Sequence, residues 1–168
     1  GRLSDPHLRE NFVERVFAYS RLRTLYSGTW SVGALVRFHT AHKLILMSHA
    51  PAGYRRLGVL VAEARTVARA ELKQRYAAEF MRTMAVLATR RRHTNVLQHM
   101  AGHLKKLIDD RSRVELGAMI EEYRGGLVPL VVPLTLIRHH VRIQRVTYLQ
   151  GQVYLEPHPR ELMLRNHV

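Results

Sequence analysis

The sequence predicts an all-α fold, a single-domain helical bundle of about seven helices with short connections. Apolar residues recur at every third or fourth position along most of the chain, which is the period of one helix face. No run with the alternating period of a β-strand is long enough to form a useful strand. A chain of 168 residues with 46% hydrophobic side chains can also bury a substantial core without disulfides. We therefore expect one globular helical domain.

The first half of the chain predicts four helices. The first covers residues 5–24 and follows the helix-start signal Ser4-Asp5-Pro6. The second is predicted to run without a break over residues 31–48. Pro51 then starts a third helix over 52–67, and a fourth follows over 68–88. Because the connections are short, we expect neighbouring helices to pack antiparallel.

The second half predicts three more helices and a short helical tail. An arginine-rich tract at 90–93 interrupts the apolar period, so the fifth helix is predicted over 95–108, ended by a pair of aspartates. The sixth runs from Ser112 to a glycine pair at 125–126, a common helix C-terminal signal. Residues 129–133, with a proline at each end, predict an extended strap before the seventh helix at 134–143.

The charge balance indicates a polyanionic partner. The chain has 27 Lys and Arg residues against 13 Asp and Glu residues, a formal net charge of +14 before any of its 11 histidines is protonated. Nearly all of these cations are arginines, which make forked contacts with phosphates and stack on bases. Nucleic acid is therefore the expected partner.

The absence of cysteine limits the chemistry of this chain. Without cysteine it holds no disulfide, thiolate zinc site or cysteine-ligated iron–sulfur cluster. We find no signal peptide, and the longest apolar run, at 127–134, is too short to cross a bilayer. We expect a cytoplasmic protein with no membrane partner.

Two segments in the first half of the chain carry candidate RNA-binding residues. The predicted second helix interleaves histidines and a lysine with its apolar face, and the third begins with a tyrosine beside two arginines. The arginines and lysine are expected to contact phosphates, and the tyrosine to stack on a base. The same histidines could equally be hydrogen-bonded parts of the core. The candidates are His39, His42, Lys43, Tyr54, Arg55 and Arg56.

The second half of the chain carries two more basic clusters. Arginines directly before a helix N-terminus add mobile cations to free N–H groups, which favours phosphate binding. A later cluster places residues 138, 142 and 145 on one helix face, where they could follow a nucleic-acid backbone. The alternative is a solvated charge run. The candidates are Arg90, Arg91, Arg92, His93, Asn95, His99 and Lys105, followed by Arg138, His139, His140 and Arg142.

The histidines also raise the question of metal binding or catalysis. His39 and His42 are three residues apart, and His99 and His103 are four apart, spacings that place two imidazoles on one helix face. No carboxylate stands in register beside either pair. We therefore predict no metal, no catalytic residue and no cofactor in this chain. Two alternatives stay open: a histidine-based nuclease or nucleotide-processing enzyme, and a structural dimerisation module.

Several motifs together resemble the YbgA-like family, which has long been catalogued only as a domain of unknown function. They cover the chain from about residue 30 to its end. The first two are Phe38-His39-x-x-His42-Lys43-x-x-Leu46-Met47-x-His49 and His93-x-Asn95-Val96-Leu97-x-His99-x-x-Gly102-x-x-Lys105-Lys106. The others are Tyr123-Arg124-x-Gly126-x-x-Pro129-Leu130-x-Val132-Pro133-Leu134 and Tyr148-Leu149-x-x-Gln152-x-Tyr154-Leu155-x-Pro157-His158-Pro159.

The first 25 residues resemble the junction at which this domain follows a TudS-like desulfidase domain in bacterial fusion proteins. We therefore interpret residues 1–168 as one YbgA-like domain in which residues 1–25 form the junction helix. The resemblance implies that the desulfidase domain holds an iron–sulfur cluster, while the YbgA-like domain binds transfer RNA containing 4-thiouridine. Because this chain has no cysteine, the cluster would lie in the other domain. The resemblance thus implies an RNA-binding accessory domain without activity of its own.

Overall fold

The computed structural model describes residues 4–168, and these residues form helices without any strand. Nine α-helices are present among them, eight of seven residues or longer, which confirms the all-α prediction. In chain order they are α1 (Pro6–Leu25), α2 (Val32–Ala41), α3 (Lys43–His49), α4 (Pro51–Ala62), α5 (Arg69–Ala85), α6 (Arg90–Leu104), α7 (Asp110–Arg124), α8 (Val131–Gln144) and α9 (Thr147–Gln150). Three short 3₁₀ turns follow, at Val153–Leu155, Arg160–Leu162 and Leu164–Asn166.

Helix α3 lies at the centre of the bundle. Its Leu44, Ile45 and Leu46 are fully buried, and the helix packs against α4, α5, α6 and the first 3₁₀ turn. Three consecutive buried residues mean that α3 is enclosed on more than one face. Around it the core holds large aromatic side chains from other elements, among them Tyr76, Phe80 and Tyr154. The remaining elements are therefore positioned by their contacts with this helix and its neighbours.

The predicted unbroken helix at 31–48 is wrong at one point, because His42 separates α2 from α3. The side chain of Gln152 satisfies the backbone at this break. Its amide oxygen accepts a hydrogen bond from Leu44 N at 3.2 Å, and its amide nitrogen donates to Thr40 O at 2.8 Å. Both contacts cross more than 100 residues of sequence, so local periodicity could not reveal them.

Helix α6 begins at Arg90, five residues before the predicted start. Thr89 caps it, since the Thr89 hydroxyl accepts a hydrogen bond from Arg92 N at 3.3 Å. The arginines at 90–92 therefore form the first turn of α6, whereas the prediction placed them before the helix. Arginine is a good helix former, so a break in the apolar period did not mean a break in the helix.

Helices α7 and α8 also begin earlier than predicted. Asp109 caps α7 by accepting a hydrogen bond from Ser112 N at 2.7 Å, so the aspartate pair opens a helix and does not close one. Helix α8 begins at Val131, and Pro133 lies in its first turn. A proline there removes no helical hydrogen bond, so the expected strap at 129–133 is largely helical. Among the described helices, none combines the length and apolar character required to cross a bilayer.

Candidate nucleic-acid interface

The structure places His39 under Tyr54, at the edge of the core. The two rings stack with centroids 5.0 Å apart, and His39 Nδ1 is 3.0 Å from the Tyr76 hydroxyl. Burial lowers the pKa of His39 to about 4, so the ring is neutral at pH 7. Tyr54, which is partly exposed, therefore covers this imidazole, and the histidine cannot serve as a cationic phosphate ligand at neutral pH.

His42 and His93 lie deeper in the core. His42 donates from Nδ1 to Phe38 O at 2.7 Å and stacks on the Phe38 ring. His93 Nδ1 is 2.8 Å from the Tyr154 hydroxyl. Burial lowers the pKa of His42 to about 4 and that of His93 to about 3. The geometry gives both residues a structural role within the core.

Two further predicted residues have structural partners, and a third is buried. Arg92 donates to two backbone carbonyls, His49 O at 2.7 Å and Leu87 O at 3.2 Å. Arg56 pairs with Glu79 at 2.8 Å, and Arg82 pairs with the same carboxylate. His140 is buried on α8. Arg55 and Lys105 are exposed on α4 and directly after α6, away from the two concave surfaces described below.

One concave surface lies where the start of α6 meets the end of α7. This pocket of about 460 Å³ brings together the predicted Arg90, Arg91 and Asn95 with Thr94, Gln98 and Arg124. Arg90 is anchored there because its guanidinium donates to Tyr123 O at 2.6 Å and lies 4.9 Å from the centre of the Tyr123 ring. Arg91 is exposed and makes no ion pair within residues 4–168.

A second and larger concavity, here called the α8 trough, runs between α8 and the segment 150–166. Its wider part measures about 510 Å³ and its narrower part about 160 Å³. The two parts share Thr135, Arg138 and Arg160, so they form one continuous surface. The wider part is lined by Thr135, Arg138, His139, Val141, Arg142, Gln150, Gln152, Leu155, Glu156 and Arg160.

Helical periodicity explains which α8 residues reach the trough. Residues 138 and 139 follow residue 135 by three and four positions, and residue 142 follows residues 139 and 138 by the same steps. All four therefore share one helix face. The predicted Arg138, His139 and Arg142 are brought together in this way. Arg145, which was expected on the same face, instead follows the helix in a left-handed backbone conformation with φ of 51° and does not line the trough.

Arg138 is held in one orientation at the middle of the trough. Both its Nε–H and one terminal N–H donate to Leu155 O, the first at 2.8 Å. Burial lowers the pKa of Arg138, but an arginine remains charged at neutral pH. Because a guanidinium carries five N–H groups, three are left for a ligand.

The other two arginines of the wider part differ in their pairing. Arg160 pairs with Glu156 at 3.2 Å on the exposed rim. Arg142 is exposed and has no ion pair within the described residues. In the wider part, three arginines stand against one carboxylate, which gives this surface a positive charge. Arg165, which lines the narrower part, is already paired with Glu10 and Glu14.

Sequence reasoning missed Thr135, Gln150, Glu156 and Arg160 in this trough. Thr135 lies three residues before Arg138, so extending the helical spacing one turn backward would have found it. Gln150 is the last residue of α9, and Glu156 and Arg160 come from the segment after it, which folds back along α8. That return is a tertiary feature without a local sequence signal.

The predicted His99 and Lys43 lie on another part of the surface. His99 Nε2 is 3.4 Å from His103 Nε2, and the His103 ring lies 5.1 Å from the Tyr148 ring. Burial and the neighbouring Lys43 ammonium lower the pKa of His99. This pair is the more accessible of the two histidine pairs that the spacing picked out.

A cluster of buried charges, here called the charge cluster, joins α1, α3 and the C-terminal segment. It consists of Glu10, Glu14, His49 and Arg165. Arg165 donates to Glu10 at 3.1 Å, to Glu14 at 3.0 Å and to Tyr154 O at 2.6 Å. Glu10 and Glu14, with His158, place possible metal-ligand atoms within 4.8 Å of one another, but the guanidinium already supplies the positive charge between the two carboxylates.

Fold and site together define a basic, all-α domain with an arginine-lined trough along its penultimate α-helix. Residues 43–159 match the family described as "Protein of unknown function (DUF1722)". The chain is also 35% identical over 156 residues to the "Uncharacterized protein YbgA" of Escherichia coli (strain K12), covering 90% of each chain. The chain therefore belongs to this YbgA-like DUF1722 family, as its motifs indicated. No solved structure matches it.

Proposed function

We propose that this chain is a transfer-RNA-binding accessory domain that presents 4-thiouridine to an iron–sulfur desulfidase domain. The cluster would belong to that other domain, because this chain has no cysteine to hold it. The TudS-like partner is implied only by the resemblance of residues 1–25 to a fusion junction. The proposal concerns binding and positioning, with the chemistry performed elsewhere.

One observation carries the proposal: the wider part of the α8 trough presents three arginines, of which Arg142 has no ion pair among residues 4–168 and Arg138 is fixed in orientation. A positively charged concave surface concentrates polyanions and orients their phosphates. Arginine forks match the geometry of phosphate oxygens. A net charge of +14 adds a long-range attraction for RNA.

The test is a titration of the chain with transfer RNA at several salt concentrations. Binding through phosphates releases counterions, so we expect the logarithm of the association constant to fall linearly with log[salt], by about 0.7 per neutralised single-strand phosphate. Absent binding, or binding that does not respond to salt, would refute the proposal. Comparing the association constants of transfer RNA with and without 4-thiouridine then tests recognition of the modification. Tighter binding of the modified RNA would assign this recognition to this domain, and equal binding would leave it to the desulfidase domain.

Substitution of Arg142 by Ala should weaken transfer-RNA binding and lower the salt dependence by about one phosphate equivalent. Arg65→Ala is the matched control, because Arg65 is equally an exposed arginine but lies in the loop between α4 and α5, outside the trough. Equal losses in the two variants would indicate a general charge effect and not a binding surface at α8.

A further inference from the structure

The shape of the α8 trough bears on which part of an RNA it would hold. Its wider part, of about 510 Å³, falls in the range of about 300 to 1,000 Å³ that is usual for small-molecule sites. A space of that size is suited to one nucleotide. A-form RNA, by contrast, presents a wide and shallow minor groove that proteins contact by shape and through its 2′-hydroxyls and phosphates.

The trough is also long enough to hold a short segment of an RNA strand. Its α8 wall runs from Val131 to Arg142, which at the rise of an α-helix is about 16 Å. The narrower part continues from Arg138 and Arg160 to the exposed Met163, an apolar residue that holds a left-handed conformation with φ of 48°. An extended strand, and not a single bound ion, matches a surface of this extent.

The lining combines groups for phosphates with groups for bases. Arg142 is a free cation for a phosphate, whereas Arg138 offers a fixed guanidinium plane on which a base can stack. Val141 and Leu155 supply apolar floor, and the exposed amide of Gln150 can donate to or accept from a base edge. Gln152 is less suited to this, since its side chain is buried and its amide is held by hydrogen bonds to Leu44 N and Thr40 O.

We propose that the α8 trough receives an unstacked, single-stranded segment of RNA, with one nucleotide in its wider part, a proposal that rests on the function proposed above. Arg142 and Arg160 hold the phosphates, and Arg138 holds the base or its neighbouring phosphate. Chemistry on a base requires that base to leave the helical stack. A domain that fixes the strand in an unstacked state would therefore prepare a thiolated uridine for the desulfidase.

The first test compares two labelled RNAs by fluorescence anisotropy, a short oligouridylate and a blunt RNA duplex with the same number of phosphates. We expect the oligouridylate to bind more tightly. Arg142→Ala should weaken oligouridylate binding by about tenfold, the size of one lost charge-assisted hydrogen bond. Arg65→Ala should change it by less than about twofold, because Arg65 lies outside the trough and acts only through screened long-range charge. Tighter binding of the duplex, or equal effects of the two variants, would overturn the trough assignment.

The second test uses 4-thiouridine as a photochemical crosslinker within the same oligouridylate. Crosslinked peptides should map to the two walls of the trough, residues 131–142 and 150–166. If transfer RNA binds but every crosslink falls elsewhere, the trough assignment is wrong while the RNA-binding function stands. If transfer RNA does not bind at all, the proposed function fails and the trough assignment fails with it.

Discussion

At the residue scale, the charge cluster shows how charged groups can be buried together. Both ring nitrogens of His49 lie close to oxygen atoms, Val86 O at 2.6 Å and Glu14 Oε2 at 2.8 Å. Arg165 donates to both Glu10 and Glu14, so its guanidinium lies between the two carboxylates and offsets their charge.

Removing one member of the charge cluster should destabilise the protein strongly. Arg165→Met would leave two carboxylates close together and buried, and we expect a loss of about 3 to 5 kcal/mol in the free energy of unfolding. Chemical denaturation measures this loss. Arg160→Met is the matched control, since its ion pair with Glu156 is exposed and should contribute less than about 1 kcal/mol. Equal effects of the two substitutions would contradict a stabilising role for the cluster.

The buried neutral histidines predict a stability that falls with acidity. Burial lowers the pKa of His39 and His42 to about 4 and that of His93 to about 3. Their pKa in the unfolded chain is about 6.5. Below that pH the unfolded chain binds more protons than the folded chain, so protonation stabilises the unfolded state and lowers the free energy of unfolding. At pH 5 each histidine should reduce the free energy of unfolding by up to about 2 kcal/mol.

Glu14 acts in the same direction at lower pH. Burial alone would raise the pKa of its carboxyl, but the hydrogen bond and charge of His49, with the charge of Arg165, outweigh burial and hold the pKa well below its usual range. Its stabilisation is therefore present above about pH 4 and is lost as the pH falls further. Urea titrations between about pH 7 and about pH 2 cover both the histidine range and the Glu14 range, and they measure the combined slope of the free energy of unfolding against pH. His93→Gln should flatten it, and substitution of the exposed His103 by Ala should not.

At the element scale, the close packing of α4 against α5 depends on Gly53. A Cβ atom added at Gly53 would collide with the Thr83 side chain, which is buried on α5 and hydrogen-bonded to Glu79 O at 2.8 Å. At Gly58, one turn further along α4, the nearest atom to an added Cβ would be His39 Nε2 at 3.9 Å, an ordinary contact distance. The two glycines therefore have different roles in the same helix.

Substitutions at these two glycines should have opposite effects on stability. Gly53→Ala should lower the free energy of unfolding by about 1 to 3 kcal/mol, because α4 and α5 would be forced apart. Gly58→Ala should raise it by up to about 1 kcal/mol through helix propensity. Thermal unfolding of both variants provides the comparison, and Thr83→Ala should partly rescue Gly53→Ala. A neutral Gly53→Ala would show that the two helices can separate without cost.

At the scale of the whole molecule, the predicted RNA-binding residues do not form one surface. Arg138, His139 and Arg142 line the α8 trough. Arg90, Arg91 and Asn95 line the pocket where the start of α6 meets the end of α7. These two concavities have no lining residue in common. The predicted residues that line a concave surface are therefore divided between two groups of arginines.

The histidine-based nuclease that the sequence left open can be tested on the whole chain. Incubation with RNA, with and without a chelator, should produce no cleavage if this domain only binds RNA. Cleavage that persists through purification and is lost in His99→Ala would favour the enzyme, because His99 belongs to the accessible histidine pair. His7→Ala provides a control at another exposed histidine, on α1.

The sequence by itself determined the fold class, the approximate number of helices and the membership of the YbgA-like family. Apolar periodicity depends on neighbours three and four residues away, so it identified α1 almost to the residue. It also placed Arg138 and Arg142 on one face of a predicted helix, which the structure keeps, whereas Arg145 lies just after that helix. Each of these conclusions rests on local spacing or on motifs within a short segment.

Only the tertiary structure decided which candidates are buried and which line a surface. His42 and His93 are buried because aromatic residues from elsewhere in the fold, Phe80 and Tyr154, pack against them. Gln152 supports the helix break at His42 from another part of the chain. The α8 trough exists because residues 150–166 return along α8, held partly by Arg138 on Leu155 O. Contacts between distant segments depend on the packing of the whole chain, and no local pattern encodes them.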